Sequence, residues 1–121
     1  MKRRMFLAAA TLAPMTARAH EPRKGPHGGI LVDAGAYHVE LAITGMTVDV
    51  YISDGADRPV PAAGFRAMAI LVIDGKTQRI VLGPADGNRL TGQSSAAASG
   101  APKGAVLLTA PDGKTAQARI E

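Results

Sequence analysis

The chain predicts an all-β fold: a single immunoglobulin-like antiparallel β-sandwich of about seven or eight short strands. Three observations predict it. Apolar and polar residues alternate over short runs, most clearly from Tyr37 to Ile43 and from Met46 to Ile52. Gly, Pro and Asp punctuate those runs at short intervals. No apolar stretch sustains a helical period.

Residues 1–19 read as a signal peptide rather than as part of the fold. Lys2-Arg3-Arg4 supplies a positive start, and Met5 to Met15 is apolar and alanine-rich. Ala17-Arg18-Ala19 is a small-x-small cleavage signal. The apolar run is too short to span a bilayer, which takes ~20 residues. Arg3-Arg4-Met5-Phe6-Leu7 suits either an ordinary secretory leader or a twin-arginine signal, although Lys2 stands where the latter usually has Ser or Thr. The expectation is export to the periplasm.

Removing the leader changes the charge balance. The whole chain has 14 basic and 10 acidic residues. Lys2, Arg3, Arg4 and Arg18 depart with the leader, so the remainder is formally neutral. A basic surface for nucleic acid has no support, and Tyr37, Tyr51 and Phe65 are the only aromatics left to stack on bases. About 100 residues remain, one domain's worth. Cysteine is absent, which excludes disulfides, thiolate metal sites and cysteine nucleophiles.

Residues 20–28 read as a flexible, histidine-containing arm, with two prolines and a glycine between His20 and Pro26. Residues 29–121 form the sandwich. Its strands are expected at 29–33, 36–43, 46–53, 66–73, 76–82, 88–91, 105–110 and 115–120. A two-residue turn at Thr44-Gly45 pairs Ile43 with Met46, Leu41 with Val48, Val39 with Val50 and Tyr37 with Ile52. Every apolar side chain of that hairpin, Met46 included, then faces inward. Asp74-Gly75 marks a second hairpin. Pro111-Asp112-Gly113 marks a third, with Val106 facing Ala118 and Leu108 facing Ala116. Ile70-Leu71-Val72-Ile73 is apolar on both faces, as a central strand would be. Asp57 to Pro61 reads as a crossover between sheets whose prolines protect an edge. Gly92 to Gly104 reads as a floppy loop without a function.

All three histidines, His20, His27 and His38, lie in one short span, and none follows. Cleavage after Ala19 would make His20 the first residue, offering an α-amine and a ring nitrogen together. In the expected register His38 faces Tyr51 and Glu40 faces Asp49, so two like charges meet on the outer side of the sheet. A bound cation, a nearby Lys or Arg, or solvent would offset them. His27-Gly28-Gly29 either simply starts a strand, with His27 solvated, or makes a sharp turn that would aim the His27 imidazole back across the sheet. The candidate metal ligands are therefore His20, His27, His38, Glu40 and Asp49. Imidazole and carboxylate together suit Cu(II) or Zn(II). With only Met46 and Met68 after the leader, a methionine-rich Cu(I) site is not expected.

His27-Gly28-Gly29, the run Gly35 to Leu41 with its Tyr-His-Val-Glu-Leu core, Val48 to Tyr51, and Asp54 through Val60 form a pattern. The pattern resembles small bacterial periplasmic proteins associated with heavy-metal efflux, and the His-Gly-Gly segments of efflux membrane-fusion subunits. The resemblance implies a periplasmic β-sandwich that handles copper or another transition metal, with His27, His38 and Glu40 at the site and an efflux-pump subunit as partner. A histidine-rich stretch between leader and first strand, frequent in such proteins, is missing here, which limits the expectation to one site.

Two readings follow: a metal-binding protein of heavy-metal resistance, or a metal-free, non-enzymatic interaction module on an immunoglobulin-like fold. An enzyme is not expected. Ser53 has no nucleophile elbow. Gly75-Lys76-Thr77 lacks the upstream glycine of a phosphate loop. Glu40 and Asp49 would sit on a flat sheet without a cleft.

Overall fold

A computed structural model describes residues 23–98 and 101–120. The leader and His20 lie outside the described residues. Nine strands are formed: β1 (Arg23–Lys24), β2 (Ile30–Ala34), β3 (Tyr37–Thr44), β4 (Thr47–Ser53), β5 (Arg66–Ile73), β6 (Lys76–Pro84), β7 (Arg89–Gln93), β8 (Lys103–Thr109) and β9 (Thr115–Ile120). All pair antiparallel in one sheet, in the order β1-β2-β3-β4-β7-β6-β5-β8-β9, curled into a half-barrel. No helix among the described residues is long and apolar enough to cross a membrane.

The curl depends on β6, which serves both halves. Lys76 to Leu82 pair with β5, and Gly83 and Pro84 pair with β7. Proline ends the ladder, since it has no N–H to donate. The inward faces of both halves share one core. Val39 and Leu41 of β3, Val48, Val50 and Ile52 of β4, Leu71 of β5, Leu82 of β6, Leu90 of β7, and Val106 and Leu108 of β8 are all fully buried there. Tyr37 meets Phe65 edge-on at 5.3 Å across the interior. The segment from Asp54 to Phe65 carries the chain from β4 to β5, and Ser53 bridges Pro59 across it, so the expected crossover is present.

Turn chemistry explains which registers were readable. Val106 pairs with Ala118 and Leu108 with Ala116, as expected, because the Pro111-Asp112-Gly113 loop defines the spacing. Asp74 and Gly75 both take positive φ, 54° and 78°, and join β5 to β6 as expected. The β3–β4 register differs from expectation by two residues. Gly45, at φ 61°, and Met46 form the turn, so Thr44 pairs with Thr47, Leu41 with Val50 and Val39 with Ile52. Glycine accepts positive φ without a Cβ clash, and threonine does not. The two-residue shift keeps every strand side chain of the hairpin, Met46 apart, on its expected face. It changes only who sits opposite whom. Met46, expected inside, is therefore at the turn tip and 49% exposed.

Three further expectations are corrected. The arm is not wholly flexible: Arg23 and Lys24 pair with Leu31 and Ile30 as β1. Gly92 to Gly104 is not all loop, since it includes the end of β7 and the start of β8, and Ser94 is buried with its amide bonded to the Met46 carbonyl at 2.7 Å. β5 is central, between β6 and β8, but only one face is buried. Ala67, Ala69, Leu71 and Ile73 face the core, whereas Val72 is 42% exposed.

The two faces of the sheet make opposite demands on a substitution. Leu41→Ala is expected to cost about 2–5 kcal/mol in urea unfolding. Val81→Ala, on the exposed face, should change stability by no more than about 0.5 kcal/mol. Comparable losses for the two variants would contradict the assigned inside and outside.

Candidate metal site on the outer face of β3

The outer side of β3 presents His38, Glu40 and Ala42 in succession. Glu40 lies between Leu31 of β2 and Tyr51 of β4, not opposite Asp49. It is not a solvated sheet-face carboxylate either: it is 1% exposed. The segment from Gly25 to Gly29 folds over it. Glu40 Oε2 accepts the backbone N–H groups of His27 and Gly29, each at 2.8 Å, and Oε1 lies 2.8 Å from His27 Nδ1. A buried acidic side chain is tolerated when its oxygens are matched in this way.

The glycines make this cover possible. A Cβ on Gly25 would sit 2.3 Å from Glu40 Cδ. One on Gly29 would sit 2.3 Å from the Leu41 carbonyl oxygen. Gly28 takes φ 83° and donates its N–H to the Gly25 carbonyl at 3.0 Å, closing the turn. The imidazole of His27 is thereby carried back across the sheet, as the His-Gly-Gly string allows, and stacks on the Tyr51 ring at 3.6 Å with planes 6° apart.

That geometry defines the His27 tautomer. A carboxylate facing Nδ1 is an acceptor, so Nδ1 carries the hydrogen and Nε2 carries the lone pair in the neutral ring. Among the described residues Nε2 has no partner, and the side chain is 44% exposed. His27 and Glu40 border a hollow of ≈ 330 Å³ with Pro26, Tyr51, Asp57 and Asn88 on its walls. The sheet face therefore has a cleft, where a flat surface was expected.

His38 is placed differently. Its row contains Asp33 of β2 and Ser53 of β4, not Tyr51. Nδ1 lies 2.8 Å from Asp57 Oδ1, and Nε2 lies 3.2 Å from Asp33 Oδ1. The ring is thus held between two carboxylates and is only 12% exposed. Asp49 faces Ala42 and Thr91, and its Oδ1 lies 3.3 Å from Arg89 Nη1. An arginine is what offsets this carboxylate. Among the described residues, no three His, Cys, Asp or Glu side chains are grouped so that they could hold a metal ion. His38, Glu40 and Asp49 each have their own partners, and only His27 and Glu40 are brought together. His20 lies outside the described residues.

Sequence reasoning missed Asp33, Asp57 and Asn88, and it set Tyr51 opposite His38 where the structure sets it opposite Glu40. A turn at Gly35-Ala36 pairs Ala34 with Tyr37 and so puts Asp33 beside His38, which turn arithmetic could have found. Tyr51 follows from the corrected register. Asp57 takes φ 63° in a loop shaped by Asp54, and no local pattern points it at His38. Asn88 bonds Ile52 through both its side-chain N–H and its backbone carbonyl, each at 2.9 Å, a long-range contact.

The surrounding electrostatics follow from these contacts. Burial raises the Tyr51 phenol above its ordinary value of 10.0, and the Asp49 carboxylate adds to the effect, so the hydroxyl stays neutral near pH 7. The Arg58 backbone N–H lowers the Asp54 carboxyl below 3.8, with help from that of Ala56. The Arg89 guanidinium lowers Asp86 in the same way.

No protein-family model matches this chain, and neither a curated protein nor a solved structure is detectably similar to it.

Glu40→Gln should destabilise the fold by about 1.5–3 kcal/mol, because an amide has one acceptor oxygen for three donors. Hydrogen exchange at the His27 and Gly29 amides should accelerate first. Unchanged exchange at both would show that the carboxylate does not hold this cover. The Asp54 loop has a defined pH dependence. A lowered folded value means that its contribution is complete above the ordinary carboxylate value of 3.8 and is lost as pH falls through the lowered one. NMR shifts of the Ala56 and Arg58 amides should therefore titrate with a midpoint under 3.8, and Asp54→Ala should abolish that titration.

Proposed function

We propose that this is an exported, non-enzymatic protein of the bacterial periplasm that binds one transition-metal ion, Cu(II) or Zn(II), through His27 Nε2. The observation that carries this reading is the buried Glu40 carboxylate on His27 Nδ1. Metal-ligating histidines almost always give their other ring N–H to such an acceptor, which sets the tautomer and raises ligand basicity. Stacking on Tyr51 further restricts the ring. Glu40 then positions a ligand and is not itself a ligand. His38, between Asp33 and Asp57, and Asp49, beside Arg89, shape the surrounding electrostatics.

A single imidazole is a weak site, and His20 is the nearest remaining nitrogen donor in sequence. Only Glu21 and Pro22 separate it from Arg23, and the three chain steps span up to roughly 10 Å at ~3.3 Å per residue. Arg23 pairs with Leu31, which neighbours Glu40. If the leader is cut after Ala19, the His20 amine and ring would join His27 in a donor set suited to square-planar Cu(II).

Titration calorimetry on the chain beginning at His20 tests this reading. One Cu(II) or Zn(II) per chain is expected, with binding lost in His27→Ala and weakened 10–100-fold in Glu40→Gln. Asp49→Asn should retain the affinity. Binding no tighter than that of an unfolded peptide of residues 20–30 would overturn the proposal.

A further inference from the structure

The half of the sheet farthest from His27 carries an unused surface. The outward positions of β6, β5, β8 and β9 fall into rows across the strands. Val81, Met68, Leu107 and Gln117 make one row, and Arg79, Ile70, Ala105 and Arg119 make the next. Thr77, Val72 and Lys103 follow on one side, with Arg66, Thr109 and Thr115 on the other. The middle of the face is apolar, and Val81 is 70% exposed. Among the described residues its charged positions are Arg66, Arg79, Lys103 and Arg119, every one basic, and no described carboxylate occurs in any of the four rows. None of these four cations has an ion-pair partner among the described residues. Asp74 and Asp112 lie in the hairpin turns at the ends of these strands, whereas the other described acidic side chains, Asp33, Glu40, Asp49, Asp54, Asp57 and Asp86, lie on the other half. Four strands at ~4.8 Å spacing make this a face about 14 Å across.

We infer that this face docks a second protein whose contact surface is an apolar ridge flanked by carboxylates. Exposed β-branched residues inside a one-sign rim are what an interface core with a polar border looks like before its partner arrives. The rim selects the occupant. A second copy placed face to face on a two-fold axis would bring basic rims together. A second copy placed head to tail would leave an open-ended chain. An anionic bilayer would meet the long arginines, but valine is too short to reach hydrocarbon past them. An acidic protein surface satisfies both the charge and the depth. This inference uses none of the residues of the proposed metal site, so either can fail alone.

The test is photo-crosslinking from position 81 of the full chain in the cells that make it, with position 46 on the opposite half as control. One protein should be captured from position 81 and not from 46, through a contact that maps to an acidic, apolar-ridged surface. The Arg79→Glu/Arg119→Glu double variant should cut the yield at least tenfold while keeping the thermal midpoint. Changing the contacting carboxylates of the partner to lysine should restore it. The inference is overturned by no adduct, by a yield indifferent to charge reversal, by a covalent dimer of this chain, or by arginine-dependent flotation with phosphatidylglycerol vesicles.

Discussion

A single acidic side chain, Glu40, joins the outer layers of this half-barrel. It sits at the crossing of a row that runs from Arg23 through Leu31 and Glu40 to Tyr51. Its oxygens face two backbone N–H groups and one imidazole, all from the segment that closes over it. Leaving such a group unmatched in the interior would cost several times what its bonds contribute. The cover, the short β1 ladder and the orientation of His27 therefore stand together. A charge that at first looks destabilising in a ladder is what organises the face around it.

The metal proposal and the architecture meet at this point. A loop histidine with free rotation is a poor ligand, because binding must order it. Here the ordering is done during folding by Glu40 on one ring nitrogen and Tyr51 on one ring face. His38 shows the contrasting outcome. The same residue type eleven positions on lies between Asp33 and Asp57 and is spent on tying β3 to β2 and to the crossover loop. Position in the fold, a covering turn for His27 and the outer face of β3 for His38, separates the two roles. The far half of the sheet is free of these constraints. Its four outward cations have no ion-pair partner among the described residues, so a recognition surface can exist there without competing with the core.

Much of the fold was legible because it depends on local chemistry. Alternation places Leu41, Val48, Val50 and Ile52 inside whichever register is chosen, since a shift of two leaves each side chain on its face. The same indifference made the β3–β4 partners illegible. Only the choice between threonine and glycine for a positive φ decides them. The last hairpin was read correctly because Pro111-Asp112-Gly113 leaves one sensible loop. The exposure of Val72 and Val81 was not legible. An apolar strand reads as buried on both faces until one knows that no second layer covers it.

The amino-acid sequence by itself determined the all-β class, the positions of most strands and the inward face of each, and it allowed the turn of His27 back over the sheet. These depend on side-chain alternation and on glycine's tolerance of positive φ, which act within a few residues. The tertiary structure alone decided that Glu40 is buried and acts on His27, that Asp49 belongs to Arg89 and His38 to Asp57, and that a basic-rimmed apolar face stays uncovered. Those contacts join residues 11 to 40 positions apart. Their partners are selected by the curl of the sheet and by what desolvation allows, neither of which is written in any local pattern.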